Sequence, residues 1–528
     1  MIKYYRVNYS HGRYVIYFTL FIQVILRFAQ NILILRKMKN GNLRMENNQR
    51  KSGILLHITS LPNERTLGTF SCECEKFIDW LSQGGFKVWQ VLPITDCGYS
   101  YSPYSAVSSF AINPYLIDLS EYLSLSELDT FGFNKSDDRV VQQERIDSAL
   151  DLIYNKLGKD TDLTEFEKQN KSWLEDYALY KVIKESCDDV SWADFPLGLK
   201  KRNKADIDTF IFGHKDEIRK IKFIQYIAHS QWNRVKSYAN KNGIQIFGDV
   251  PFYVEMDSAD VWSNPTNWKL NSDGKGEVAG VPPDYFNKDG QLWGNPIYNF
   301  SAMAKNKYKY FTERFKRQSE LFDIVRIDHF IAFSRYWAIP STSTTATKGK
   351  WVKGSGEAIL KELTSKLKIN IIAEDLGIVT EDVKKLREQF NIPGLKVMQF
   401  AFDGDGDNMY QPHNYEKNCV AYIGTHDNNT FMGMLNSSDW DKINRFKRYL
   451  RIPLEWGNDA VIDNTIQTLY RSSANTIILT MQDVLKLGSE ARMNIPGKPE
   501  GNWTWQLTSI PDTSTAWCFK ELADLYAR

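Results

Sequence analysis

Eight short apolar runs, several of them β-branched, recur between Gly53 and Gln482 and limit the folds open to this chain. They are Gly53–Thr59 (GILLHIT), Lys87–Leu92 (KVWQVL), Ile244–Val250 (IQIFGDV), Ile324–Asp328 (IVRID), Ile369–Asp375 (INIIAED), Lys396–Phe402 (KVMQFAF), Val420–Asp427 (VAYIGTHD) and Thr476–Gln482 (TIILTMQ). Continuous runs of this length suit strands buried on both faces, as in a parallel sheet covered by helices. Amphipathic segments such as Cys74–Gln83, Ala358–Leu367 and Glu381–Phe390 lie between them. Alternating strands and helices imply βαβ units, and eight of them predict an α/β chain folded as a (β/α)8 TIM barrel. A chain of 528 residues suits one such barrel with insertions.

The insertions are also legible. Between the second and third runs, residues 120–242 are rich in Asp, Glu and Lys at helical spacing, which predicts a mostly helical subdomain on the C-terminal face of the barrel. The stretch Trp262–Pro296 carries Gly, Pro and Asn with little periodicity and reads as a long functional loop. Residues 52–528 are thus expected to form the catalytic barrel and residues 1–51 an extension. In that extension, Tyr14–Leu26 is apolar and follows Lys3, Arg6 and Arg13, but the run is shorter than the roughly 20 residues of a membrane span. No small-x-small cleavage site follows it. A non-native extension starting the real chain at Met38 or Met45, a signal or anchor, and a structural helix remain three alternatives.

Composition narrows the function. The 66 basic and 64 acidic residues are well mixed, which argues against a nucleic-acid groove. Six cysteines without CxxC spacing point to free thiols in a reducing compartment, hence a cytoplasmic protein for which a membrane location is not expected. Aromatic residues are plentiful, but core packing explains them as well as sugar stacking does. Asp403-Gly404-Asp405-Gly406-Asp407 resembles the start of a calcium loop, yet Asn408 and Asn414 stand where such a loop needs Gly and Glu, so no metal is expected.

Catalytic groups in such barrels gather at the C-terminal ends of strands. Four runs end in carboxylates: Asp249, Asp328, Glu374 with Asp375, and Asp427. One alone would read as a structural ion pair, but four on one rim do not, because carboxylates at buried strand ends are costly unless employed. Retaining glycoside chemistry needs two, one attacking the anomeric carbon and one protonating the leaving oxygen. Arg326 and Asp328, two apart on one strand, face the same side, so the guanidinium can hold Asp328 ionised. Glu374 needs a raised pKa instead.

Arg326-Ile327-Asp328-His329-Phe330, Ala373-Glu374-Asp375-Leu376-Gly377 and Thr425-His426-Asp427-Asn428 resemble, in order, the three catalytic segments of the 4-α-glucanotransferases called amylomaltases or disproportionating enzymes, glycoside hydrolase family 77. Supporting segments include Gly53–Pro62, Trp89–Pro93, Ser102-Pro103-Tyr104, Gly248–Pro251, Gly280–Phe286, Gln291–Tyr298 and Arg492–Gly497. The resemblance implies Asp328 as nucleophile, Glu374 as general acid/base and Asp427 as transition-state stabiliser. It implies that Arg326 sets the nucleophile's charge, that His426 and Asp249 bind hydroxyls of the transferred sugar, and that Tyr104 stacks near it. His329 would orient Asp328 or cap the strand. The loop with Asp284 and Tyr285, and Trp293 nearby, would cover the acceptor side. The partners so implied are an α-1,4-glucan donor and a glucose or maltooligosaccharide acceptor, with no cofactor.

The sequence departs from the family's common pattern at Ile331, Thr69-Phe70-Ser71, Ser105 and Gln506, which bears on acceptor preference and product length rather than on the reaction. Hydrolysis by the same machinery is the close alternative. A catalytically idle glucan-binding protein is the alternative from another class, and the joint presence of Asp328, Glu374, Asp427 and Arg326 argues against it.

Overall fold

The structure, a computed structural model, describes residues 50–528 apart from residues 99, 101, 136, 275, 284–287, 378 and 499. The expectations for the apolar N-terminal run lie outside these residues. Each of the eight runs overlaps a barrel strand, although β1, β10 and β11 begin one or two residues before their runs: β1 (Lys51–Leu55), β2 (Val88–Gln90), β3 (Gln245–Val250), β6 (Ile324–Ile327), β9 (Asn370–Ala373), β10 (Gly394–Val397), β11 (Cys419–Tyr422) and β12 (Thr476–Thr480). All neighbours pair in parallel in the order β10-β11-β12-β1-β2-β3-β6-β9. The fold takes in Arg50 and Lys51 as well: the Arg50 guanidinium binds the carbonyls of Tyr470, Ser472 and Tyr526 beside the start of β1.

Several runs reach further than their strands, because the chain turns out of the ladder at the barrel mouth. Ile58–Ser60 and Met398–Phe400 are 3-10 turns, and β11 ends five residues before Asp427. Alternation of side chains fills the barrel. Leu55, Val88, Phe247, Ile372, Val397, Val420, Tyr422 and Ile478 belong to one buried cluster, separate from the larger core that includes Ile54, Ile246, Val325 and Ile371.

Helices Leu125–Thr130, Arg139–Ile153, Leu174–Ser186 and Lys215–Lys241 stand between β2 and β3, within the stretch that reads as helical. The longest shows why: Ile224, Ile227, Ala228, Gln231, Val235 and Ala239 recur at three- and four-residue spacing and are all buried. Trp262–Pro296 is not the structureless loop its composition suggests. It begins in a helix, Ala259–Ser263, and contains β4 (Val278–Val281) and β5 (Gln291–Pro296). These join β7 (Arg335–Ile339) and β8 (Lys350–Lys353) in an antiparallel sheet of order β5-β4-β7-β8. Gly280, Gly294 and Pro296 hide the pattern, and burial of Ala279, Tyr336 and Ala338 in the main core supplies what local propensity lacks. Among the described residues no helix is long and apolar enough to cross a membrane.

The barrel seam lies between β9 and β10, where two hydrogen bonds replace a ladder. Ala373 N–H donates to the Pro393 carbonyl at 2.9 Å, and Leu395 N–H donates to the Asp375 carboxylate at 2.7 Å. Asp375 also lies 3.3 Å from Arg387, and both side chains are buried. Asp375 is therefore spent on closing the barrel. Asp375→Ala is expected to destabilise the protein by about 1–3 kcal/mol, because it leaves the buried Leu395 N–H without its acceptor, while Arg387 keeps its pair with Glu416 at 2.7 Å. Urea unfolding checks this, and Asp375→Asn, which keeps an acceptor, is expected to cost less.

Candidate active site

The inward-facing positions of the strands turn from apolar to charged at the mouth of the barrel. Phe247 is followed two residues on by Asp249, Ile324 by Arg326 and then Asp328, and Ile372 by Glu374. Asp249 and Arg326 are paired in register across β3 and β6, and Asp328 and Glu374 directly follow the paired residues Ile327 and Ala373. The two carboxylates therefore leave adjacent strands at the same level.

Arg326 is the hub of this layer. One guanidinium nitrogen holds both oxygens of Asp249, at 2.8 and 2.6 Å, and another reaches Asp328 at 2.9 Å. Asp249 and Arg326 are buried, while Asp328 keeps 31% of its side-chain surface exposed and so faces the cleft. Burial pushes the Asp328 carboxyl up and Arg326 pulls it back. Burial also pushes Glu374 up, with Arg326 opposing and the Asp328 charge adding to the rise. When the pair holds one proton, that proton belongs on Glu374, because Asp328 has the direct contact with the guanidinium.

Glu374 is aimed by the backbone. Its oxygens accept from His329 N–H at 2.8 Å and Leu376 N–H at 2.9 Å. His329 takes a left-handed conformation, φ 49°, which is unusual for a residue with a side chain and brings its N–H to the carboxylate. His329 thus meets the pair through this backbone bond to Glu374. Its ring stands edge-on to Trp293, centroids 4.8 Å apart, and burial lowers its pKa to about 4.

Asp427 stands on a turn after β11. The Asn428 side-chain oxygen accepts from Thr425 N–H and Oγ1, at 2.9 and 3.0 Å, and fixes that turn. Asn494 donates to Asp427 Oδ1 at 2.6 Å, His426 Nε2 lies 3.3 Å from Oδ2, and Arg492 donates to the Asp427 carbonyl at 2.7 Å. Burial opposes the Asp427 charge, but His426, Asn494 and Arg326 outweigh it and hold the carboxyl well below the usual range. Burial likewise opposes the charged form of His426, and Asp427 reverses this. Tyr104 ties the two halves together. Its hydroxyl donates to Asp249 at 2.8 Å and meets His426 Nε2 at 2.9 Å, and its ring stacks on His426 at 5.3 Å.

Tyr104, Trp293, Asp328, His329, His426 and Asp427 line a cleft of about 590 Å³, with Arg326 and Asp249 buried behind them. Its wall is aromatic and its floor carries the charges, which suits a polyhydroxylated ring with apolar faces. The tertiary structure thus brings together Asp328, Glu374, Asp427, Arg326, His426, Asp249, Tyr104, His329 and Trp293. Asp284 and Tyr285 lie outside the described residues. Sequence reasoning missed Asn494 and Arg492 as supports of Asp427, although the segment containing them was visible as a motif. It also missed Trp503, whose ring lies 5.9 Å from both Tyr104 and His426. His57 is a core residue: it is buried, and its Nδ1 accepts from Leu92 N–H at 3.2 Å. Asp403, in the calcium-like loop, pairs with Lys442 at 2.7 Å.

Comparison with known proteins agrees with this geometry. The family model described as 4-alpha-glucanotransferase, of glycoside hydrolase family 77, matches residues 56–512. A 4-alpha-glucanotransferase of Clostridium butyricum is 39% identical over 465 residues, covering 85% of this chain and 95% of its own. One from Thermus thermophilus is 38% identical over 482 residues, covering 87% and 95%. Among solved structures, an amylomaltase from Streptococcus agalactiae in complex with acarbose superposes with a TM-score of 0.86 at 32% identity, over 91% of this chain and all of that one.

Proposed function

The chain belongs to the 4-alpha-glucanotransferases of glycoside hydrolase family 77, and from that membership we propose the roles of its residues in moving a segment of an α-1,4-glucan to an acceptor sugar. The enzyme is a retaining transferase that works by double displacement. Asp328 attacks the anomeric carbon while Glu374 gives its proton to the leaving glycosidic oxygen, and a glycosyl–Asp328 ester forms. Glu374, now a carboxylate, takes the proton of the acceptor's 4-hydroxyl as that oxygen attacks the same carbon, and Asp328 is released. Asp427, kept ionised, stabilises the cationic sugar between these states. Tyr104, Asp249 and His426 hold the transferred sugar, and Trp293 with the neighbouring loop shapes the acceptor side.

The observation that carries this assignment is the asymmetry of the pair. Asp328 sits on a buried guanidinium, while Glu374 is held, among the described residues, by two backbone N–H groups and raised by burial and by the charge of its neighbour against the opposing pull of Arg326. Transfer should therefore decline as pH falls through the raised pKa of Asp328, which must be ionised. It should also decline as pH rises through the still higher pKa of Glu374, which must be protonated. Infrared titration of the Glu374 carboxyl checks the coupling: in Asp328→Asn its pKa is expected to drop, since a neighbouring negative charge is removed.

The acceptor is proposed to be glucose or a maltooligosaccharide. The location is proposed to be cytoplasmic, supported by six cysteines that are all free thiols. Residues 52–528 are proposed as one catalytic unit carrying the helical insertion at about 120–242, with residues 1–51 as an extension. The decisive assay incubates the protein with maltotriose alone. A ladder of longer chains with constant reducing ends establishes transfer, and rising reducing ends without longer chains would make the protein a hydrolase.

A further inference from the structure

A second cavity, of about 730 Å³, lies between the barrel mouth and the insertion helices Arg139–Ile153, Leu174–Ser186 and Lys215–Lys241. It and the catalytic cleft have two lining residues in common, Ser105 and Glu255. These two residues therefore border both spaces. Ser105 directly follows Tyr104, which binds the catalytic layer, and Glu255 N–H donates to the Ala106 carbonyl at 3.0 Å, so the two segments are fastened side by side. Ser105 is the side chain next to the Glu255 carboxyl that opposes the rise in pKa which burial gives it. No ion pair joins Glu255 among the described residues, in contrast to Asp257 two residues on, which is paired with Lys184 at 2.7 Å and also accepts from Tyr180 and Trp192.

A half-buried carboxylate with one weak partner, set in the wall of a sugar cleft, has acceptor capacity left for a ligand. Neighbouring hydroxyls of a pyranose are donors that can reach both oxygens at once. We infer that Glu255, positioned by Ser105, is a specificity-determining residue that binds hydroxyls of a long α-glucan where it leaves the catalytic cleft beyond Tyr104. Short donors end before this point and long ones cross it, so Glu255 sets the preference for donor length. This rests on the transferase reading.

The test measures kcat/KM for donors from maltotriose to maltoheptaose with one labelled acceptor, in the parent, Glu255→Gln, Glu255→Ala and Ser105→Ala. The ratio of the longest to the shortest donor is expected to fall about tenfold in Glu255→Ala and about threefold in Glu255→Gln, with Ser105→Ala between parent and Glu255→Ala. Equal losses on every donor, or an unchanged ratio in both Glu255 variants, would overturn the inference. Glu255→Gln preserves the shape of the wall and keeps the test decisive if the alanine variant unfolds. Failure of the parent to build a ladder from maltotriose would instead strike the transferase reading itself.

Discussion

Asp328→Asn is expected to reduce transfer by about 10⁴-fold or more while leaving the fold intact. The amide has nearly the same shape as the carboxylate, but it cannot form the ester that divides the reaction into two steps. The fold should survive because Arg326 retains both contacts to Asp249, so its buried charge is not abandoned. Circular dichroism and thermal melting should match the parent, and binding of an intact maltooligosaccharide should persist, since Asp249, His426 and Tyr104 are untouched. A residual rate within a hundredfold of the parent, in a preparation free of parent enzyme, would remove Asp328 from the role of nucleophile.

Glu374→Gln should separate the two halves of the cycle. With maltooligosaccharide donors the loss is expected to be about 10²–10⁴-fold, because the leaving oxygen departs without a proton. With an α-maltosyl fluoride donor, whose leaving group needs little protonation, the first step should recover. The second step still lacks its base, so the glycosyl-enzyme should accumulate. Mass spectrometry of the quenched protein should show the added sugar, and peptide mapping should place it on Asp328. The glutamine keeps oxygen as an acceptor for one of the two N–H groups that hold Glu374, so loss of positioning alone is modest. An equal loss on both donors, with no trapped adduct, would show that Glu374 acts by position rather than by proton transfer.

Much of the barrel is legible in the chain because buried parallel strands have a strong local signature. Phe247 and Asp249, or Ile372 and Glu374, also declare by two-residue spacing that a charged group sits on the side of the strand that faces the barrel axis. The second sheet was not legible. Val278–Val281 and Gln291–Pro296 have no alternation of their own; they pair with each other, and Arg335–Ile339 joins the first of them from far along the chain. Asn494 and Trp503 escaped for a similar reason: nothing near them in sequence shows that they will meet Asp427 and Tyr104.

The sequence by itself determined that carboxylates end several strands of one barrel, and the order of three short segments determined the family. Only the tertiary structure decided what each carboxylate does. Glu374 and Asp375 are adjacent, and local sequence treats them alike. The alternation of β9 carries on just past its end at Ala373, so Glu374 turns to the His329 N–H beside Asp328 and Asp375 enters the seam against Leu395 and Arg387. Their proton affinities follow from that placement, because burial and nearby charge are properties of neighbours in space, which the chain specifies only once it has folded.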